Sequence, residues 1–160
     1  MLNKPYILIY GYGNPGRQDD AAGLMLTENI ENWSKQNNLP IECYYNYQLN
    51  IEDSYKIKNY KLTIFVDSTI NEEIYNFNFT KISASPDYDF STHIIKPQYL
   101  LYLTETLFDY KIEAYVLEIK GYQWELMQQP TENVYKNIEF ATEFLKNFIK
   151  NYLVSNQKIT

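Results

Sequence analysis

Asp20, Asp67 and His93 are the side chains in this sequence whose types and positions could do chemistry together. Asp20 follows a glycine-rich turn, Asp67 closes an apolar run, and His93 stands in a Ser/Thr-rich loop before a Leu-rich segment. Two carboxylates and one imidazole could ligate a divalent metal such as zinc, nickel, iron or manganese, with positions left open for a substrate. His93 is the sole histidine, so any imidazole role falls on it. Each residue also has an ordinary reading, and taken singly the ordinary reading is the better one. A lone histidine before a helix is a polar cap or an exposed side chain. An acid at a strand end caps the next turn. Asp19, beside Asp20, reads as a helix cap. Ser91 and Cys43 are potential nucleophiles, but no recognisable pattern sets either beside His93.

The segment from Ile7 to Gly23 must position the first acid. It reads as a buried strand, a turn and the start of a helix. Gly11, Gly13 and Gly16 fit G-x-G-x-x-G, the fingerprint of a dinucleotide loop. Such a loop offers bare N–H groups and a positive helix end to an anion. Asp19 and Asp20 already occupy that end, where they would repel a pyrophosphate and attract a cation. An acid on strand two that could bind a ribose is also missing around residues 44–47. The turn is therefore expected to present Asp20 at the carboxyl end of a strand, with Gly11, Gly13, Asn14 and Gly16 letting a substrate backbone approach. A dinucleotide- or flavin-binding module is the rival reading.

The remaining elements follow from periodicity. Strands are expected over residues 6–10, 41–47, 62–67 and 114–119. Residues 74–82 alternate apolar and polar side chains, as a half-exposed strand near a sheet edge does. Helix one should begin near Asp19 and bury Ala22, Met25, Leu26, Ile30 and Trp33. A short helix fits 51–58. A third spans 97–108, with Pro97 in its first turn and Leu100, Leu103 and Leu107 inward. The fourth, capped by Thr131, buries Val134, Ile138, Ala141, Leu145, Phe148 and Tyr152, and its tail from about Ser155 should fray. Strands alternating with helices make an α/β fold. It is a three-layer α/β/α sandwich with about five strands in a mostly parallel, twisted sheet and helices on both faces. In such a sheet the carboxyl ends of the parallel strands share one rim, where Asp20, Asp67 and His93 could meet.

Composition bounds the rest. The 160 residues suit a single domain over 1–160, and 45% hydrophobic residues suit a globular chain. A formal charge of -6 argues against nucleic acid as a partner, and no basic amphipathic helix suggests a membrane surface. With Cys43 as the one cysteine, neither an intrachain disulfide nor a thiolate zinc cluster can form. Met1–Pro5 and the short apolar run after it are unlike a signal peptide or a membrane span. A cytoplasmic protein is expected.

In order and spacing these residues resemble the hydrogenase maturation endopeptidases nearly end to end. The resemblance rests on Gly11-Tyr12-Gly13-Asn14, then Asp19-Asp20 and Gly23, then Ile64-Phe65-Val66-Asp67, then Ser91-Thr92-His93 before Tyr99-Leu100-Leu101-Tyr102-Leu103, and Val116 to Tyr122 late in the chain. Gly13-Asn14-Pro15-Gly16-Arg17, Tyr47-Gln48-Leu49 with Glu52, and Gly121-Tyr122-Gln123-Trp124-Glu125 are similar to a branch serving soluble, cytoplasmic nickel–iron hydrogenases. The resemblance implies a protease that removes a short C-terminal peptide from the precursor of the hydrogenase large subunit once nickel is in place. Carried over residue by residue, Asp20, Asp67 and His93 would engage the nickel, which the precursor brings; Cd²⁺ or Zn²⁺ could substitute. Asp19 matches the family's first acid, which is not the usual ligand. A monomer would suit a site that admits a large protein. Gln18 and Ala21 stand where relatives often have glycine, and Ile94 replaces a second histidine seen in some. None of these removes a ligand. A non-catalytic nickel-binding maturation partner is the remaining alternative.

Overall fold

A computed structural model describes residues 6–157. The consecutive apolar residues of β1 (Ile7–Tyr12) and the first five of β3 (Leu62–Thr69) are buried on both faces, as inner strands of a parallel sheet are. With β2 (Ile41–Asn46), β4 (Phe77–Ile82) and β5 (Glu113–Lys120) they form one five-stranded sheet in the order β2-β1-β3-β5-β4. All pairings are parallel except β4 with β5. The alternating segment is thus an antiparallel edge strand. Its Phe77 and Phe79 pack on one face of the sheet, and Ile82 packs on the other.

Helices cover both faces. α1 (Ala22–Gln36) and α4 (Glu132–Gln157) lie over Ile7, Ile9, Ile64, Val66, Leu117 and Ile119. α2 (Asp53–Ile57) and α3 (Pro97–Phe108) lie over Leu8, Tyr10, Phe65 and Ala114. Each fully buried Leu, Ile or Val contributes about 1.5–3 kcal/mol relative to exposure. α4 buries Val134, Ile138, Ala141 and Leu145 as its periodicity requires, and adds Ile149. Thr131 caps it, its Oγ1 accepting the Val134 N–H at 3.2 Å.

Several boundaries differ from expectation. β1 runs on through Gly11 and Tyr12. β3 continues two residues past Asp67, paired to β5 as far as Thr69 with Lys120, so Asp67 closes the apolar run but not the strand. A 3-10 turn over Gln18–Ala21 precedes α1, so Asp19 lies in that turn and does not cap the helix. In α3 Leu107 faces solvent, while Leu100, Leu101 and Thr104 are buried. Thr104 turns the helix by bonding the Leu100 and Ser54 carbonyls. Phe108 packs edge-on against Tyr55. α4 is helical through Gln157. Met1–Pro5 and Lys158–Thr160 lie outside the described residues. No helix among the described residues is long and apolar enough to cross a membrane.

α1 sits very close to the sheet where β1 and β3 part. A Cβ on Gly23 would lie 2.4 Å from the Val66 carbonyl oxygen, and one on Gly11 would lie 2.1 Å from Thr27 Oγ1. Only glycines allow this approach, which brings the first turn of α1 onto the carboxyl rim.

Candidate active site at the carboxyl rim

β1 has β2 on one side and β3 on the other, so the chain reverses its direction of growth between β1 and β3. Ligand sites of open α/β sheets lie at such a point. Asp20 and Asp67 both stand there. Asp20 is half-buried, and its Oδ2 accepts the Asn14 N–H at 2.9 Å. The turn that allows this bond depends on Gly13, whose φ is +147° and whose Cβ would lie 2.1 Å from the Asp20 carbonyl oxygen. Ser68 joins the two acids: its N–H donates to Asp67 Oδ1 at 2.8 Å and its hydroxyl to Asp20 Oδ1 at 3.2 Å. Burial pushes the Asp67 carboxyl up to about 7, and the charges of Asp20 and Glu118 push the same way. Among the described residues neither half-buried carboxylate forms an ion pair, and the two make an oxygen donor pair suited to a cation. The Asn14 N–H, which a phosphate loop would leave free, is already taken by Asp20.

His93 stands apart from this pair. It is exposed, in left-handed backbone with φ 54°, and its N–H donates to the Asp89 carbonyl at 3.2 Å. Its loop is organised around Asp89, which also accepts the Ser91 N–H and hydroxyl at 2.9 and 2.6 Å. Among the described residues no group of three or more His, Cys, Asp or Glu side chains is arranged to hold a metal ion. The structure thus brings Asp20 and Asp67 together and leaves His93 outside.

Asp19 has a role that its position in sequence did not suggest. It is completely buried. Its carboxylate accepts four hydrogen bonds from the β5–α4 loop: the N–H groups of Tyr122, Gln123 and Thr131 at 2.7, 3.2 and 2.7 Å, and the Thr131 hydroxyl at 2.8 Å. Gln18 reinforces the join, donating to Gln123 Oε1 at 2.9 Å and accepting the Glu125 N–H at 3.0 Å. These bonds hold Gln18, one of the departures from the pattern the sequence resembles, in left-handed backbone, φ 48°. Ala21, the other departure, has ordinary helical dihedrals. Asn14 and Gly16 complete the turn: Asn14 Oδ1 accepts the Gly16 N–H at 2.8 Å, and Asn14 Nδ2 donates to the Tyr47 hydroxyl.

Glu118 and Tyr12 were not anticipated. Glu118 is in register with Asp67 on the neighbouring strand, so both carboxylates share one face. A cleft of about 240 Å³ beneath the first turn of α3 is lined by both, with Tyr12, Thr80, Gln98 and Val116 among its other walls. Burial and the two carboxylates push the Tyr12 hydroxyl far above its ordinary value, so it remains a proton donor. The alternation of Ala114, Val116 and Glu118 could have flagged the third acid. Cys43 is half-buried on β2, and burial pushes its thiol up to about 12, which removes it as a nucleophile.

No protein-family model matches the sequence, and no curated protein does. Solved structures match throughout. The NiFe hydrogenase maturation protease HycI from Thermococcus kodakarensis KOD1 superposes with a TM-score of 0.69 at 19% identity, over 92% of this chain and 94% of that one. The hydrogenase maturating endopeptidase HybD from E. coli gives 0.69 at 16% identity, over 92% and 93%. An uncharacterized protein from Wolinella succinogenes gives 0.66 at 14%, over 92% and 99%. The α/β fold anticipated from the sequence is the one these proteins share, and this chain has the fold of the hydrogenase maturation proteases.

Proposed function

We propose that this chain is a hydrogenase maturation endopeptidase. It removes a C-terminal peptide from the nickel-loaded precursor of a nickel–iron hydrogenase large subunit, engaging the nickel through Asp20, Asp67 and His93. The observation that carries the reading is the Asp20–Asp67 pair, joined through Ser68 at the β1/β3 switch point of a fold seen in maturation proteases. Nickel is cargo of the substrate here. Once it lies between the carboxylates it can polarise the scissile carbonyl or activate a water. Asp20 and Asp67 supply oxygen donors and cancel their mutual repulsion against its charge. His93 supplies a nitrogen donor or accepts a proton, and reaches the carboxylates by movement of the loop before α3. Without nickel the precursor has no bridge to two like charges, so the state of the metal is checked before cleavage. A cytoplasmic site of action suits the lone, half-buried Cys43, and a monomer leaves the rim open to a large partner.

The test is mass spectrometry of a purified precursor incubated with the protein. Loss of the C-terminal peptide from nickel-loaded precursor, with nickel-free precursor intact, is expected. A precursor that binds and keeps its tail would favour a non-catalytic maturation partner. Micromolar binding of NADH would count against the protease reading.

A further inference from the structure

The β5–α4 loop, residues 121–131, is fixed along its length yet ends in an unprotected apolar tip. Asp19 holds both ends of the loop and Gln18 holds Glu125. The Met127 N–H donates to the Gly16 carbonyl at 2.9 Å, and Arg17 Nε donates to the Trp124 carbonyl at 3.3 Å. At the tip Leu126 is 68% and Met127 94% exposed, and Met127 is held in left-handed backbone at φ 60°. Left-handed backbone is costly for a residue other than glycine and persists only when the surroundings impose it. Neither side chain repays that cost inside the chain. The Met127 bond to Gly16 makes the tip continuous with the turn that presents Asp20. Phe90 and Ile94, 77% and 64% exposed, flank His93 on the other loop of the site.

We infer that Leu126 and Met127 form a preorganised apolar prong that seats in an apolar pocket on the folded body of the protein substrate, holding it while its tail reaches Asp20 and Asp67. The inference rests on the endopeptidase reading and adds a second point of contact to it. A convex, rigid tip needs a concave partner, which a folded surface has and an extended tail lacks. Because the loop is already ordered, docking loses little conformational freedom. The chain carries a formal charge of -6, which an anionic lipid surface would repel.

The test compares wild type with the Leu126→Ser/Met127→Ser double variant. It measures thermal midpoint, Kd for the nickel-loaded precursor, and kcat and KM for its cleavage. The prong requires an unchanged midpoint, Kd and KM raised about tenfold or more, and unchanged kcat at saturating precursor. Met127→Gly, which suits the backbone, should show part of the same defect and guards against misfolding of the double variant. Unchanged Kd and KM would overturn the prong while leaving the endopeptidase reading standing. So would prong-dependent binding to phosphatidylserine vesicles, or prong-dependent self-association in sedimentation, without an effect on the precursor. If wild type binds the precursor through the prong but never cleaves it, the prong stands and the endopeptidase reading falls. If it neither binds nor cleaves, both fall.

Discussion

Gln18 and His93 adopt nearly the same left-handed backbone, φ 48° and 54°, on the two loops of the proposed site. Their settings are opposite. Gln18 is buried, with its side chain bonded at both ends to the β5–α4 loop, beside an Asp19 that accepts four hydrogen bonds. His93 is exposed on a loop whose bonds are local, to Asp89 and its neighbours. The first loop has one arrangement because buried partners from distant sequence fix it. Around His93 the second is held by local hydrogen bonds, with Ile95 as its anchor on the core. In the proposed reaction this divides the labour: Asp20 and Asp67 are held ready, and His93 is delivered.

The largest effect should come from removing the clamp. Asp19→Ala leaves three loop N–H groups and the Thr131 hydroxyl without their acceptor in a buried setting, and should cost about 3–5 kcal/mol in urea unfolding. A loss below about 1 kcal/mol would erase the distinction between the loops. Asp67→Asn should alter the response to pH. Asp67 ionises near 7 in the fold against an ordinary value of 3.8. Between those values the folded chain holds a proton that the unfolded chain has released, so stability is full below about pH 4 and falls as pH rises through 7. Asp67→Asn should flatten that decline, gaining on the order of 3 kcal/mol over wild type at pH 8.5 and little at pH 4. Parallel profiles for the two proteins would show that Asp67 carries no such shift.

Cleavage separates the loops in another way. Asp20→Ala and His93→Ala should each lower precursor cleavage at least about a hundredfold, with cooperative unfolding retained in both. His93→Ala should leave the melting temperature where it was. Loss of the cooperative transition would mark either residue as structural. The smallest effect is the most diagnostic, because one substitution is made in one backbone region on both loops. His93→Gly should stabilise by about 0.5–1 kcal/mol, relieving the left-handed backbone and forfeiting no side-chain bond. Gln18→Gly should destabilise by about 1 kcal/mol, because the lost hydrogen bonds outweigh the same relief. The same sign at both positions would mean the loops are not held differently.

What could be read in the sequence follows a similar division. The glycine turn, the inner strands, the edge strand and the stripe of α4 are written in residues close to one another, where periodicity and turn chemistry act. Asp20 is legible because it follows the glycine turn after β1, and Asp67 because it closes the apolar run of β3. Asp19 was misread as a cap because its partners lie more than 100 positions away, from Tyr122 to Thr131. Glu118 was passed over because its neighbour across the strands, Asp67, depends on a register that no local pattern encodes. The spacing of Leu100, Leu103 and Leu107 places Leu107 inward, whereas α3 buries Thr104, whose hydroxyl reaches the Ser54 carbonyl of α2, and leaves Leu107 exposed. His93 is assigned on resemblance, and its outward position goes with hydrogen bonds that are local, to Asp89 and its neighbours.

The most direct test of a preset carboxylate pair completed by a delivered histidine is anomalous diffraction from crystals soaked to saturation in Ni²⁺ or Cd²⁺. The expected result is one peak bonded by Asp20 and Asp67 at roughly 2–2.5 Å, with the loop before α3 shifted so that the His93 ring completes the site and the Asp19 clamp unmoved. A rim without a peak at saturating metal, or a peak held by the carboxylates while His93 still points to solvent, would contradict it.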